Sequence, residues 1–456
     1  MSAPVVVLLI CLPLMRPLRH PDPLMISDDE LARLATIQAV VEHHTLEIQD
    51  TTIFRNLQRN FVGLRDIVRV NGREGRPRVY SEQSPMMSVL LSGPYWVMYR
   101  NGLSIERSPV LAEYLLTLFG VTLPIAFAAG LLYRMARMFE LTRPYRAALA
   151  LAVVVGSGWI SYATVLSAGA AAAALVVMSA ACLVQASLSK RRPAALVWVG
   201  IGGLCAALAS TYELTALAFL VFLVLVIVAL RWRRSARAGA IVAYVIGAAL
   251  PIGVYVGLNR PITGDLRPGY LHPELSAFAD APRDTQEEDD DPPGVWHNAW
   301  RACERFLTAF IGGHGLLTHF PVLIFGAVGV SMVMHRHWPN TTKLMAAGTL
   351  LAGLAIVVGY TVQRPDWKDA MFANRWFLVF LPLTLFWAGA WLRRPHHVST
   401  WVTAAFLWAF SAFIAILGAT DPQPRQGYDR YTAAGAWMNL VQPPHPSVRG
   451  DMIAER

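Results

Sequence analysis

Long apolar runs constrain this sequence more than any other feature. Ten of them approach the roughly 20 residues that a helix needs to cross about 30 Å of hydrocarbon. A shorter run from Ala3 to Met15 has no basic segment before it and no small-residue cleavage site after it, so we interpret it as a marginal first helix. The ten longer runs lie at 109–133, 145–166, 168–188, 194–211, 213–230, 238–258, 315–334, 344–362, 376–392 and 399–418. The pattern predicts an all-α polytopic membrane protein with about eleven transmembrane helices.

Basic residues are concentrated in every second short connection between these runs. Short basic connections face the cytoplasm in membrane proteins, so five connections and the N-terminus are predicted to be cytoplasmic. This arrangement also explains the net charge of +9 without a nucleic acid partner. The five connections contain Arg134 to Arg146, Lys190 to Arg192, Arg231 to Arg237, Arg336 to Lys343, and Arg393 with Arg394.

The predicted topology divides the chain into six parts. They are the first helix at 1–15, a large external loop at 16–108, helices 2–7 at 109–258, an external acidic loop at 259–314, helices 8–11 at 315–418, and an external tail at 419–456. Five consecutive acids, Glu287 to Asp291, are bracketed by prolines and predict a solvated stretch rather than a metal site. The four cysteines are scattered and indicate neither a disulfide framework nor a metal site.

The first external loop opens with a helix signal. Ser27 followed by Glu30 forms a capping box, which predicts that a helix begins here. Apolar residues then recur at helical spacing, which predicts an amphipathic helix lying along the outer membrane surface. These residues are Leu31, Leu34, Ile37 and Val41.

Two carboxylates occupy the first turn of this predicted helix. The helix dipole favours Asp28 and Asp29 in their ionised form, and an ionised carboxylate at the membrane interface can act as a general base. Acids in a first turn are also common helix stabilisers without a further role, and the local pattern alone favours that interpretation.

A second segment of the loop carries a family resemblance. The block 26–96 resembles the first external loop of the GT-C glycosyltransferases, especially the bacterial branch related to protein O-mannosyltransferases and aminoarabinose transferases. That branch carries a D-[DE] pair before an [RH]-[YL]-A helix, then a G-x-x-Y-S-x-K-P-P-L stretch and a Y-W pair. The matching residues here are Asp28, Asp29, Arg33, Leu34, Ala35, Tyr80, Ser81, Pro85, Tyr95 and Trp96. Weaker matches follow at Gly313-His314-Gly315 and at Asn374-Arg375-Trp376.

The resemblance implies a function. It implies an eleven-span core within the lipids of a bacterial-type inner membrane. It also implies an enzyme that moves a hexosyl or pentosyl group from a polyprenyl-phosphate donor to an external lipid, glycan or protein acceptor. Asp29 or Asp28 would take the acceptor proton, with inversion at the anomeric carbon. A divalent metal is compatible with this chemistry, but no residue pattern in the sequence requires one.

One departure from the family pattern affects donor binding. Gln83 stands where the family has the lysine that meets the donor phosphate, and an amide lacks the charge that a phosphate favours. Either another cation serves, or donor binding is weak or lost. Arg375 at the head of a span is our preferred replacement, and the alternative interpretation of this residue is an interfacial anchor. The other external candidates are Arg78, Arg100, Arg364 and Lys368.

Three further residues complete the predicted substrate site. Tyr80 belongs to the matched motif. Glu213 lies between two apolar runs, where an ionisable residue is a functional candidate, although it could also be an ordinary turn residue. His314 could contact a substrate or bond a backbone carbonyl. Two other functions stay open: a transporter or flippase of lipid-linked sugars, and a non-catalytic GT-C relative.

Overall fold

The structure is a computed structural model that describes residues 2–19, 27–59, 66–71, 77–228, 234–272, 275, 295–312, 315–363, 372–373, 375–420 and 422. The described part is mostly helical. Its helices are α1 (Ala3–Leu14), α2 (Arg16–Arg19), α3 (Asp28–Glu42), α4 (Thr52–Arg59), α5 (Pro85–Arg100), α6 (Pro109–Thr117), α7 (Leu123–Met135), α8 (Arg143–Gly156), α9 (Trp159–Tyr162), α10 (Ala168–Leu188), α11 (Arg192–Tyr212), α12 (Leu217–Val228), α13 (Arg234–Thr263), α14 (Val295–Phe310), α15 (Leu316–His319), α16 (Leu323–Met334), α17 (Asn340–Gln363), α18 (Leu381–Phe386), α19 (Ala388–Leu392) and α20 (Val398–Thr420). Two strands, β1 (Ile67–Asn71) and β2 (Pro77–Ser81), pair antiparallel.

Six helical segments of the described chain are long and apolar enough to cross a membrane. They are Pro109–Phe139, Ala168–Leu188, Arg192–Tyr212, Arg237–Thr263, Asn340–Thr361 and Val398–Thr420, and each coincides with a predicted span. Shorter apolar helices cover Ala3–Leu18, Leu214–Ile227, Leu323–Met334 and Leu381–Leu392. A polytopic membrane architecture is therefore confirmed, while the count of eleven spans and the side of each loop stay predictions.

More than one predicted span is interrupted, since 315–334 is divided between α15 and α16. The run 145–166 was expected as a single helix, but α8 ends at Gly156 and the short α9 begins at Trp159. Gly158 between them has a φ of 73°, and a Cβ there would lie 2.3 Å from the ring of Phe320. Only glycine fits this turn. The interruption was not predicted, because hydropathy detects the apolar run but not the backbone conformation within it.

Small residues bring α11 and α13 into close contact. A Cβ on Gly203 would lie 2.2 Å from the Tyr244 carbonyl oxygen, and a Cβ on Gly247 would lie 2.0 Å from the Gly200 carbonyl oxygen. Small residues allow such backbone approach between transmembrane helices, where van der Waals packing rather than the hydrophobic effect drives association.

Helix α3 in the first loop is buried on all its faces. The prediction that α3 is an amphipathic surface helix is wrong, because residues 29–39 are buried without interruption. They include Asp29 and Arg33 outside the apolar stripe, and Glu30 within it. Polar partners permit this burial. The following helix α4 is amphipathic, with Phe54 and Leu57 buried on one face.

Candidate active site

The first turn of α3 is fixed to the transmembrane bundle by buried polar contacts. Ser27 caps the helix, since its hydroxyl accepts from the Glu30 backbone N–H at 3.4 Å. The Glu30 carboxylate accepts from Arg16 Nη1 at 2.5 Å and from the backbone N–H of Leu166 at 2.7 Å. The helix start predicted from the capping box is thus confirmed, and Glu30 also joins the loop to the segment before α10.

The adjacent residue, Asp29, lies between two guanidinium groups. Its Oδ1 accepts from Arg33 Nη2 at 2.8 Å, and its Oδ2 accepts from Arg375 Nη1 at 3.0 Å. Asp29 is only 3% exposed. The two arginines come from α3 itself and from a chain segment 346 residues away, so this carboxylate joins two distant parts of the described chain.

Both arginines are held by further contacts. Arg33 donates from Nη1 to the Leu166 carbonyl at 3.1 Å and from Nη2 to Gln83 Oε1 at 3.4 Å. The guanidinium carbon of Arg375 lies 4.5 Å from the ring centroid of Trp376, which is a cation–π distance. The positions of both cations are therefore set before any ligand binds.

Around these side chains is a cavity of about 120 Å³, which we call the Asp29 cavity. It is lined by Asp29, Arg33, Asp66, Glu82, Gln83, Ser167, Ala168, Gly169, Glu213, Arg375 and Trp376. The N-terminus of α10 forms one wall, with Ser167 as its cap. Glu213 follows the end of α11, and the Ser84 hydroxyl, beside Gln83, donates to the Thr211 carbonyl two residues earlier.

The charges in this cavity alter the pKa of two groups. Burial, with the negative charges of Asp29 and Glu82, raises the pKa of Asp66 to about 7. Burial lowers the pKa of Arg375, but the carboxylates of Asp29 and Asp66 outweigh it and raise that pKa above its ordinary value. The cavity thus combines two fixed cations with one carboxyl group that titrates near neutral pH.

Four of the predicted site residues meet in this cavity: Asp29, Gln83, Glu213 and Arg375. Asp28 precedes Asp29 in the same turn but does not line the cavity. The general-base assignment is therefore better supported for Asp29 than for Asp28.

The other predicted site residues lie elsewhere. Tyr80 is buried against Val68 and Ile262, and its hydroxyl lies 3.5 Å from Glu47 Oε1. Arg78 is half exposed and pairs with the same Glu47 at 3.3 Å. The roles of Tyr80 and Arg78 in substrate binding stay predictions.

Among the alternative cations, Arg100 stacks on Trp96 and does not line the cavity. The remaining predictions concern residues outside the described ranges. The described residues do not include His314, Arg364, Lys368, the acidic run at 287–291 or the tail from 423 onward.

Several residues of the cavity were not predicted as site residues. Arg33 follows Asp29 by four positions on one helix, and that spacing places the two side chains on the same face. This signal was present in the sequence. Asp66 and Glu82 come together across the β1–β2 pairing, where the Glu82 backbone N–H donates to the Asp66 carbonyl at 2.9 Å. No local pattern indicates that contact.

A metal ion does not fit the described residues of the cavity. Nowhere in the described chain do three or more His, Cys, Asp or Glu side chains converge as a metal site would need. Both carboxylate oxygens of Asp29 already accept from arginines. The carboxylates described in this cavity are therefore poorly arranged as metal ligands.

Comparison with known proteins identifies the fold. No family model and no curated protein matches this sequence. The archaeal oligosaccharyltransferase AglB from Archaeoglobus fulgidus, solved with an inhibitory peptide and a dolichol-phosphate, is similar over 99% of this chain at a TM-score of 0.54 and 12% identity. ArnT from Cupriavidus metallidurans, solved with undecaprenyl phosphate, is similar over 96% of this chain at a TM-score of 0.50 and 13% identity.

The two similarities differ in how much of the known protein they cover. This chain spans 59% of the length of AglB and 74% of the length of ArnT. At these identities the likeness concerns the fold alone. The fold expected from the first-loop resemblance is thereby supported: this chain is a polytopic membrane protein that shares the fold of these two solved proteins.

Proposed function

We propose that this protein is a membrane glycosyltransferase that moves a sugar from a polyprenyl-phosphate to an acceptor on the non-cytoplasmic side. The observation that carries the proposal is the fixed Arg33–Asp29–Arg375 arrangement at the Asp29 cavity. One carboxylate and two guanidinium groups are the groups needed to accept a proton and to stabilise a departing phosphate. The two solved proteins with this fold were determined with lipid phosphates, which supports a donor of that class.

Arg33 and Arg375 supply the cations that Gln83 lacks. Gln83 occupies the position of the family lysine, and its Oε1 accepts from Arg33 Nη2 at 3.4 Å. A guanidinium is therefore held next to the place where the lysine would be. Guanidinium groups bind phosphate through two parallel N–H donors. The substitution at Gln83 is thus compatible with donor binding.

The reaction then proceeds in one displacement. The acceptor oxygen or nitrogen attacks the anomeric carbon while the bond between that carbon and the phosphate oxygen breaks, and the phosphate leaves with the electron pair. The acceptor proton passes to Asp29. Each carboxylate oxygen has two lone pairs, so Asp29 Oδ2 can accept this proton while it also accepts from Arg375. Attack from the face opposite the leaving group inverts the anomeric carbon.

The experiment that tests the proposal follows the donor. Membranes containing the full chain are incubated with a mixture of polyprenyl-phosphate sugars, and the release of polyprenyl phosphate is measured. We expect release that depends on the chain and falls by about two to three orders of magnitude in Arg375→Gln, as loss of one preorganised donor does. Release that is equal with Arg375→Gln would contradict the assignment, and no release from any donor would contradict the function.

A non-catalytic GT-C relative is the second candidate, and Gln83 is the observation that favours it. The Gln83→Lys variant separates the two. If the site has decayed, the lysine restores binding of a polyprenyl phosphate that the natural chain does not bind. If Arg33 and Arg375 already serve, the natural chain binds it and the lysine adds little.

A further inference from the structure

A second and much larger cavity lies at the other end of the helix bundle. It has a volume of about 1850 Å³, and we call it the basic cavity. Helix α10 connects the two sites, because its first residues line the Asp29 cavity and residues of its last turns, between Val184 and Leu188, line the basic cavity. Gly169 and Met178, the nearest residues of α10 that line the two cavities, are about 14 Å apart along the helix at 1.5 Å per residue.

The rim of the basic cavity is strongly cationic. Six basic side chains line it against a single acid, Glu140, which leaves an excess of five positive charges with histidines neutral. These six are Arg134, Arg137, Arg336, Lys343, Arg393 and Arg394. Glu140 pairs with Arg393, and Lys343 Nζ donates to the Met334 carbonyl at 3.1 Å. Arg134, Arg137 and Arg394 form no ion pair with any residue in the described ranges.

The wall of the basic cavity is apolar. It is made from faces of α7, α10 and α11 and includes Phe127, Leu131, Met178, Leu183, Trp198 and Ile201. Phe127 is 60% exposed and Ile201 is 40% exposed. Because both lie on membrane-length helices, this wall continues into a surface that meets lipid chains.

We propose that the basic cavity binds an anionic phospholipid, with its phosphate among the arginines and an acyl chain along the apolar wall. Charge complementarity carries this proposal. Basic loops alone follow from membrane orientation, but orientation does not require a cavity with an apolar wall under the cations. Pockets for drug-sized ligands measure roughly 300–1,000 Å³, so 1850 Å³ suits an occupant larger than a small molecule. The proposal does not depend on the glycosyltransferase function.

The test uses phosphatidylglycerol and phosphatidylcholine with identical acyl chains. Each is titrated against the purified full chain in neutral detergent, and bound lipid is counted by native mass spectrometry. We expect phosphatidylglycerol to bind about tenfold more tightly, equivalent to roughly 1.4 kcal/mol. Inorganic phosphate forms a third arm. Equal binding of the two lipids, or binding of inorganic phosphate alone, would overturn the proposal.

A matched pair of double variants locates the site. Arg137→Gln with Arg394→Gln removes two charges from the cavity rim. Lys190→Gln with Arg191→Gln removes two charges from the connection after α10, outside the cavity. We expect the first to abolish the preference for phosphatidylglycerol and the second to retain it. Equal loss in both would mean general attraction to anionic lipid and would overturn the proposal.

Quenching of tryptophan fluorescence tests the proposal without relying on the folding of the double variants. Phosphatidylglycerol brominated in its acyl chains quenches tryptophan fluorescence at contact. Saturable quenching that is weaker in Trp198→Phe is expected. Quenching that is the same in Trp198→Phe and in the natural chain would place the lipid elsewhere.

Discussion

A buried charge cluster next to Asp29 gives a quantitative test of how the first loop is held. Arg16 and Glu30 are 1% and 0% exposed and pair at 2.5 Å. Glu113 on α6 is 5% exposed and interacts electrostatically with both. The cluster therefore has one cation shared by two carboxyl groups, and the two sides of the pair should respond unequally to mutation.

The magnitudes follow from what each change leaves behind. Removing one partner of a buried ion pair costs about 3–5 kcal/mol, because the remaining charge stays buried. Arg16→Gln leaves two acids without their cation, so we expect a loss of about 5 kcal/mol in the free energy of unfolding. Glu30→Gln leaves Arg16 beside Glu113 and keeps an oxygen to accept from Leu166, so we expect a loss of about 2 kcal/mol.

The assay is unfolding of the purified full chain in mixed micelles, followed by tryptophan fluorescence. A third variant, Arg16→Gln with Glu113→Gln, serves as the control, because it removes one of the two abandoned acids. We expect it to recover about 1–3 kcal/mol of the loss caused by Arg16→Gln. Equal losses for Arg16→Gln and Glu30→Gln, with no recovery in the double variant, would refute the shared-cation explanation.

Three further predictions concern the site and the bundle. Arg375→Lys should keep more donor-phosphate affinity than Arg375→Gln but remain below the natural chain, because a point charge replaces a bidentate fork; equal affinities for the two variants in a polyprenyl-phosphate titration would contradict this. The pKa of Asp66 is raised to about 7, so this carboxyl group becomes negatively charged as the pH rises through 7. The affinity of the natural chain for polyprenyl phosphate should therefore fall by about tenfold between about pH 6 and pH 8, relative to the affinity of Asp66→Asn. The ionisation of the phosphate itself is common to both proteins, and parallel pH profiles would contradict the prediction. The folded pKa also lies above the unfolded value, so the contribution of Asp66 to stability is greatest below about pH 4 and is lost as pH rises towards 7. Gly247→Ala should destabilise the bundle by about 1–3 kcal/mol, since its Cβ would lie 2.0 Å from the Gly200 carbonyl oxygen, whereas Gly253→Ala on the same helix meets nothing within 4 Å and should be neutral in the same unfolding assay.

Local features of this fold could be predicted from the sequence. Apolar runs located the six membrane-length helices, because crossing hydrocarbon imposes length and composition on each helix separately. The capping box located the start of α3 at Asp28, because Ser27 and Glu30 act within one turn. Such signals depend on neighbours in the chain.

The burial of α3 could not be predicted in the same way. The apolar stripe alone indicated a helix with one face in the membrane surface. Asp29, Glu30 and Arg33 are buried because their partners come from elsewhere in the chain, including Arg375 and the backbone of Leu166. Periodicity does not report partners, so the predicted exposure of one helix face was wrong while the predicted start of the helix was right.

The candidate site also combines residues that could be predicted from the sequence with residues that could not. The family resemblance predicted Asp29 and Gln83 as site residues, and the topology predicted Glu213 and Arg375. Asp66 was not predicted as a site residue, because a single acid before a short strand forms no recognisable sequence pattern. Its position follows from the pairing of β1 with β2, which brings Asp66 next to Glu82.

In the proposed mechanism, Asp29 accepts the acceptor's proton during sugar transfer. The most direct measurement is the turnover rate of the full chain with a polyprenyl-phosphate sugar that it accepts, compared between Asp29→Asn and Asp28→Asn. Both variants remove one carboxylate from the first turn of α3, but only Asp29 lines the cavity. We predict that Asp29→Asn lowers turnover by about two to four orders of magnitude while Asp28→Asn changes it by less than about tenfold. Equal turnover in the two variants would contradict the account.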